Sequence, residues 1–367
     1  MNPTETRLTI IIPTYRGVGN LSQCLDSISA GNKVNMEIIV VDCETPTIQE
    51  WLSSHYPNVK LLHFDQDIGL GRARNEGVGM ASKSSRYLAF LDSDTTVEPG
   101  WAEVLMLALE SDHTAGAAQS RILLAENPTL LDHTGLALDL LGTWVSTQGL
   151  ADDSVRLTLG EIFCASTAAA MVKRKVFHDV DGFDPMIRVC DEDTDLSWRV
   201  WLSGKSVIVV PRAVAYHSRG FERDLTLRRI YYSVKNRPYI LLKNSGGYEM
   251  ILGTSLFEFL SLISAVGLII AGRGEEAREV FSAVSETIRG FPSAWKAHMR
   301  SLGIRKIRNS QLFAKGLLRR DIAATVWDIS SKASSFQSHS VRLNVNEKAI
   351  HQLRPEEQKQ TVSEVKA

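Results

Sequence analysis

At 367 residues the chain can hold one large domain or two ordinary ones, and its 44% hydrophobic content is enough for a packed core. A formal net charge of −1 excludes the global basic field of a nucleic-acid-binding protein. The four cysteines, Cys24, Cys43, Cys164 and Cys190, show no CxxC pair or other ligand spacing, which excludes a disulfide framework and reads as inert thiols in a reducing compartment.

The polar start, Met1 to Arg7, runs straight into a strand, so no signal peptide and a cytosolic chain are expected. Along the first 110 residues, short apolar runs alternate with helical patterns. The runs Leu8–Pro13, Glu37–Asp42, Val59–Phe64 and Tyr87–Asp92 have the length and the β-branched or aromatic content of buried parallel strands. Between them Leu21, Leu25 and Ile28, then Ile48, Trp51 and Leu52, recur at helical spacing. This alternation predicts an α/β fold with a doubly wound, mostly parallel sheet and a ligand crevice at the carboxyl ends of its strands. Three of the four strands end on notable residues: Pro13-Thr14-Tyr15, Asp42, and Asp92-Ser93-Asp94.

From about Asn127 to Ile162 the pattern loosens around Gly135, Gly142 and Gly149, which predicts loops and short strands. A strand through Ala168–Val172, a helix over Asp195–Leu202 and two strand runs, Val207–Val210 and Ala213–Tyr216, follow. Beyond His217, Arg228–Lys243 is basic and aromatic, and Met250–Gly272 is apolar and long enough to cross a bilayer, which takes ~20 residues. Glu258 interrupts it, with Thr254 and Ser261 on the same helical face. A buried charge in a lone span is costly. The basic residues Lys296, Arg300, Arg305, Lys306, Arg308, Lys315, Arg319 and Arg320 come next. A single span would carry them out of the cytosol, against the positive-inside tendency. The expectation is therefore an interfacial or re-entrant helix on an anionic membrane surface, with a buried core helix beside a solvated basic partner as the alternative. From Asn344 onward a frayed polar tail is expected.

Asp92 and Asp94 follow the apolar strand Tyr87–Leu91, in a turn where two carboxylates can share a divalent cation such as Mn²⁺ or Mg²⁺. Asp-x-Asp also occurs at Asp65/Asp67, Asp179/Asp181, Asp191/Asp193 and Asp193/Asp195, so position rather than the tripeptide singles this pair out. The run Asp65 to Gly77 is not a dinucleotide fingerprint, because Arg74 stands where the third glycine belongs. It still puts a glycine turn ahead of a helix whose amides could face a phosphate. Asp191, Glu192, Asp193 and Asp195 crowd four acids into five positions at a helix start. One acid suffices as a cap, and crowding raises the pKa of at least one of them, which suits a general base. His217 ends a strand at the same edge and can complete an O,O,N metal site.

Together these residues resemble glycosyltransferase family 2, which has the nucleotide-diphospho-sugar transferase (GT-A) fold. The resemblance runs from Leu8 to Lys243 through Ile12-Pro13-Thr14-Tyr15, Val40-Val41-Asp42, Gly69 to Gly77, Leu91-Asp92-Ser93-Asp94, Gly182-Phe183-Asp184, the stretch from Glu192 to Arg199, and Tyr216-His217. Within the family the chain is similar to rhamnosyltransferase-like enzymes of surface-glycan assembly, on Gly135, Asp139, Gly142 and the run Tyr231 to Arg237.

The resemblance implies a metal-dependent, inverting transfer from a nucleotide-sugar donor to a glycan or lipid-linked acceptor, on the cytoplasmic face of a membrane. It implies that Pro13, Thr14, Tyr15 and Asp42 hold base and ribose, that Arg72 and Asn75 lie near base or diphosphate, and that Asp92 approaches ribose or metal. Asp94 then binds the metal, His217 is its third ligand, Asp193 is the base, and Glu192 positions the acceptor or substitutes as base. Residues 1–243 are expected as the transferase domain, 1–110 its nucleotide half and 111–243 its acceptor half. Residues 244–343 are expected as a helical membrane-associating region and 344–367 as the tail. Asp67 and Cys43 depart from the family's usual asparagine and polar residue, and no Gln-x-x-Arg-Trp occurs, which argues against a processive synthase. Two alternatives stay open: a sugar-nucleotide pyrophosphorylase-like enzyme, which wants a basic glycine loop that Pro13–Gly19 only partly offers, and a degenerate transferase acting as a binding subunit.

Overall fold

The structure, a computed structural model, describes residues 6–326 except 32, 153–157 and 219–222, and no side chains for 223–226. The expected tail, residues 344–367, and residues 1–5 lie outside the described residues. The elements run β1 (Leu8–Tyr15), α1 (Leu21–Ser29), β2 (Met36–Cys43), α2 (Ile48–His55), β3 (Lys60–Phe64), α3 (Leu70–Met80), β4 (Tyr87–Leu91), β5 (Thr95–Val97) and α4 (Trp101–Ser111). Then come β6 (Ala115–Leu124), β7 (Asn127–Leu131), β8 (Gly135–Leu138), β9 (Trp144–Ser146), β10 (Gly160–Glu161), β11 (Ala169–Lys173), α5 (Arg174–Asp179), α6 (Glu192–Leu202) and β12 (Ser206–His217). Four helices follow: α7 (Arg223–Asn244), α8 (Gly247–Ile270), α9 (Gly274–Ile304) and α10 (Asn309–Ala314).

The main sheet has the strand order β10-β12-β6-β11-β4-β1-β2-β3. β3, β2, β1 and β4 are mutually parallel, as are β6 and β12. β11 runs antiparallel between β4 and β6. The sheet is thus mixed but mostly parallel along this path, as the alternation of runs predicts. Order reverses at β1: β2 and β3 lie on one side of it and β4 on the other. That reversal opens a crevice past the carboxyl ends of β1 and β4. The ladder between β1 and β4 ends at Ile11 opposite Phe90, before Pro13, so the proline lies beyond that pairing.

Strand period sorts the apolar residues to two faces. Ile11, Val41 and Phe90 face one core with α3 and α6, while Ile10, Ile12 and Val40 face the other with α1 and α4. Helix α3 lies so close to the sheet that a Cβ on Gly77 would come within 2.6 Å of Ile11 Cγ2. The two expected strand runs after Val207 form one strand, β12, bent by an irregularity between Val210 and Val214. The helix expected from Asp195 starts one turn earlier, at Glu192.

Among the described residues, 244–326 do not form a separate layer. Leu312, Leu317 and Leu318 return to the core that holds Phe90 and Trp198, and Trp198 Nε1 donates to Asn309 Oδ1 at 3.1 Å. Asp139 explains part of this return: Oδ1 accepts from Leu141 N and Thr143 N, and Oδ2 from Thr325 N and Oγ1 at 2.8 and 2.9 Å. Helix α8 is the apolar helix expected near Met250, and it is long and apolar enough to cross a membrane by length and composition. It packs on α7 and α9 through Ala265, Val280, Val284 and Val234. Its other side leaves Ile251, Phe259, Ile263 and Val266 exposed.

Candidate active site

β4 ends at Leu91, and the chain turns through Asp92 and Asp94 into β5. β5 pairs antiparallel with β12, which sets His217 opposite Thr95 and beside the turn. Ser218 N donates to Asp94 O at 3.0 Å and locks the two segments. His217 Nε2 lies 3.4 Å from Asp94 Oδ1 and 4.0 Å from Asp92 Oδ2. Among the described residues these three form the group that could hold a metal ion, with ligand atoms within 4.8 Å of one another. Burial pushes the Asp92 pKa up and Asp94 pushes it further, against Arg74 and His217. Burial alone would lower the His217 pKa, yet Asp132, Asp94 and Asp92 bring it up to about 10. Two carboxylates and an imidazole converging in this way fit a divalent cation, which would relieve the repulsion between the carboxylates. The mixed O,O,N donor set suits Mn²⁺ and also admits Mg²⁺.

Arg74 joins this cluster to α6. Its side chain is 1% exposed; Nη2 donates to Asp92 Oδ1 at 2.7 Å and Nη1 to Glu192 Oε1 at 2.6 Å, with the guanidinium over the Phe183 ring. The four acids near the start of α6 are therefore not equivalent. Glu192 is held by Arg74. Asp195 binds Arg199, Lys243 and Asn244, and although burial works against its charge, Arg199 and Lys243 hold its pKa below the usual carboxylate range. Asp193 accepts from Thr194 N at 2.7 Å, and burial, then Glu192 and Asp191, drive its pKa well up. Burial likewise pushes Asp191 up to about 6, against Arg237.

The turn before α6 carries two left-handed non-glycine residues, Cys190 at φ 64° and Asp191 at φ 62°. Such strain persists only where neighbours over-determine it. Buried Asn236 on α7 supplies that hold, donating Nδ2 to Val189 O and Cys190 O, both at 2.8 Å.

On the other side of the crevice, Asp42, next to last on β2, is wholly buried. Its Oδ2 accepts from His63 Nδ1 at 2.7 Å and Thr45 N at 3.1 Å, while Oδ1 has no partner. A buried carboxylate oxygen without a donor is expensive, so Oδ1 is suited to a ligand N–H or O–H. Pro13 and Thr14 sit beside it on β1, and Thr14 Oγ1 donates to Gly17 O at 3.0 Å. Tyr15, 36% exposed, has the guanidinium groups of Arg16 and Arg228 at 4.8 and 5.8 Å from its ring centroid. Arg228 also donates to Asp67 Oδ2 at 2.6 Å.

The α3 residues singled out by resemblance, Arg72 and Asn75, make their side-chain contacts with Glu76 and Phe183. Arg72 is exposed and pairs with Glu76 at 3.4 Å. Asn75 accepts from Phe183 N and donates to Phe183 O, bracing the turn at Gly182 (φ 59°). Arg74 is the one that reaches the carboxylates, and a signal for it exists: it shares the buried stripe of Ala73, Gly77 and Val78. His63 and Asp132 have no comparable local signal, whereas Asn236 falls in the run Tyr231 to Arg237.

Residues 9–181 match the family described as Glycosyl transferase family 2. The chain is 28% identical over 284 residues to the pre-mycofactocin glycosyltransferase of Mycobacterium tuberculosis, covering 72% of this chain and 57% of that protein. It is 36% identical over 117 residues to the uncharacterized glycosyltransferase YibD of Escherichia coli K12, covering 30% of this chain and 33% of that one. The match thus spans 57% of the first of these relatives and 33% of the second, less than two thirds of either. Among solved structures, GalNAc-T7 with UDP, GalNAc and Mn²⁺ superposes with a TM-score of 0.51 at 18% identity, covering 59% of this chain and 44% of that one. That likeness shows a shared GT-A fold.

Proposed function

We propose that this chain, a glycosyltransferase with a family 2 domain over residues 9–181, moves a sugar from a nucleoside-diphosphate donor to a hydroxyl of a glycan or lipid-linked acceptor, with inversion. The observation that carries this reading is the convergence of Asp92, Asp94 and His217 past the end of β4, one arginine away from the acidic start of α6.

In this reading the unpartnered Asp42 Oδ1 accepts a hydrogen bond from the base, and Tyr15 offers a ring face to it. Asp92, Asp94 and His217 would hold Mn²⁺ or Mg²⁺, which would neutralise the charge of the departing diphosphate. The Mn²⁺ and UDP of the GalNAc-T7 structure support this choice. Asp193 takes the proton of the acceptor hydroxyl. Burial, then Glu192 and Asp191, raise its pKa above the usual carboxylate range, which makes it a stronger proton acceptor. Glu192 is committed to Arg74, so it shapes the site and leaves proton transfer to its neighbour. Attack by an activated hydroxyl on the side opposite the diphosphate gives inversion without a covalent intermediate.

The acceptor is placed at the cytoplasmic face of a membrane. Support comes from α8, whose exposed Ile251, Phe259, Ile263 and Val266 recur at helical spacing, and from Phe291 and Trp295 on α9. Lys296 and Arg300 flank the α9 residues and are exposed. Much of the expected basic flank is engaged with protein: Arg305 with Asn244 O, Lys315 with Glu161, and Arg320 with Glu249. Apolar contact therefore dominates the proposed membrane attachment.

Calorimetric titration with UDP-, GDP- and dTDP-sugars, with and without Mn²⁺, tests the core of the reading. Metal-dependent binding of one donor class and loss of transfer in metal-depleted buffer are expected. Full transfer without metal would overturn it.

A further inference from the structure

The imidazole of His217 is held from behind. Asp132 follows the last residue of β7 and is 1% exposed, and its Oδ2 accepts from His217 Nδ1 at 2.7 Å. The opposite ring nitrogen, Nε2, is the one that lies by Asp94 and Asp92. Asp132 is itself fixed through its backbone. Its N–H donates to Ile122 O at 2.8 Å, the preceding Leu131 N donates to Leu150 O at 2.9 Å, and the following His133 O accepts from buried Gln119 Nε2 at 2.7 Å. The carboxylate thus meets the ring from a clamped segment, whereas Asp94 on the far side is more open.

We infer that Asp132 is the positioning residue of the cation site: by accepting the Nδ1 proton it keeps the Nε2 lone pair facing Asp92 and Asp94, and it tilts the site toward Mn²⁺ over Mg²⁺. The inference rests on the reading of Asp92, Asp94 and His217 as a cation site. A neutral imidazole presents one lone pair, and the hydrogen bond at the other nitrogen decides which atom carries it. A carboxylate there also makes the ligating nitrogen more basic, and the loss of such a partner costs about 10- to 100-fold in metal affinity. The selectivity follows from donor chemistry. Mn²⁺ accepts imidazole readily, whereas Mg²⁺ prefers oxygen and water and gains less from a better nitrogen donor. Asp132 is 85 residues from His217 in sequence, and no motif announces it.

The test uses the full chain and metal ions alone, without donor or acceptor. Mn²⁺ affinity is read by water-proton relaxation, Mg²⁺ by competition against Mn²⁺, and thermal unfolding without metal reports the fold. Asp132→Leu removes the acceptor, while Asp132→Asn keeps a neutral acceptor for Nδ1–H. About 10- to 100-fold weaker Mn²⁺ binding is expected in Asp132→Leu, with a smaller loss in Asp132→Asn and a smaller loss for Mg²⁺ in both. In a His217→Ala background, Asp132→Asn should change Mn²⁺ affinity no further, since the two residues act as one unit. If Asp132→Leu does not fold, Asp132→Asn and that cycle carry the test. Wild-type affinity for both metals in Asp132→Asn, or equal loss of Mn²⁺ and Mg²⁺, would overturn the inference. A wild-type chain that binds no Mn²⁺ would bring down the cation site itself and this inference with it, a result distinct from selective failure in the variants.

Discussion

Arg74 Nη1 lies 2.6 Å from Glu192 Oε1, 118 residues away in sequence, while its Nη2 holds Asp92. One buried guanidinium thereby ties the proposed donor-metal side of the crevice to the helix that carries Asp193. A planar fork with two separate donors suits this bridge, and lysine could not span both carboxylates in the same way. The pairing also gives two adjacent acids different partners: Glu192 meets Arg74, and Asp193 accepts from Thr194 N.

Asp193→Asn should lower the transfer rate by about 10²–10⁴ while leaving donor affinity nearly unchanged, because it removes a proton acceptor and no donor contact. Glu192→Gln should instead weaken the hold on Arg74 and alter metal and donor binding together with rate. Initial rates beside calorimetric donor affinities distinguish the two. A purely kinetic defect in Glu192→Gln with a binding defect in Asp193→Asn would exchange the roles.

Metal binding should depend on pH through His217. Its pKa in the metal-free fold, about 10 against an ordinary 6.5, is raised. Protonated His217 therefore stabilises the metal-free fold fully below about pH 6.5, and that contribution is lost as pH rises through about 10. A cation at Nε2 must displace its proton, so Mn²⁺ affinity should rise with pH across this window with release of roughly one proton. Calorimetry in buffers of differing ionisation enthalpy reads that proton directly, and buffer-independent heats would contradict it.

Ending the chain at Lys243 should abolish folding rather than merely release a membrane anchor. The cut removes Asn244, which donates to Asp195 at 2.9 Å, and strips Leu312, Leu317 and Leu318 from the main core. Each core leucine is worth about 2–5 kcal/mol, and a domain's whole stability is about 5–15 kcal/mol. Leu318→Ala alone should lower stability by about 2–5 kcal/mol in chemical denaturation. A soluble truncated chain with wild-type donor affinity would refute this.

Replacing Phe259 and Ile263 together with glutamate should weaken sedimentation with anionic vesicles without changing donor affinity, because both side chains are exposed on α8. Unaltered co-sedimentation would remove the membrane from the proposed function.

What local sequence determines here is whatever repeats within a few residues. Apolar runs between helical stripes imply the parallel half of the sheet, and the acids after Leu91 and Cys190 fall at the mouth of its crevice because strand and helix ends lie there. Asp92, Asp94 and His217 were legible for that reason. The family pattern also marked the segment from Gly69 to Gly77, and there it singled out Arg72 and Asn75 rather than Arg74. Helical phase and the tight approach at Gly77 decide which of them turns inward. Only the tertiary structure separates Asp195, neutralised by Arg199 and Lys243, from Asp193, and only it brings Asp132 behind His217 and Leu318 beside Leu138 of β8. The physical reason is the same in each case: the role of a buried charge or leucine is set by its partner, and these partners come from elements far apart in the chain.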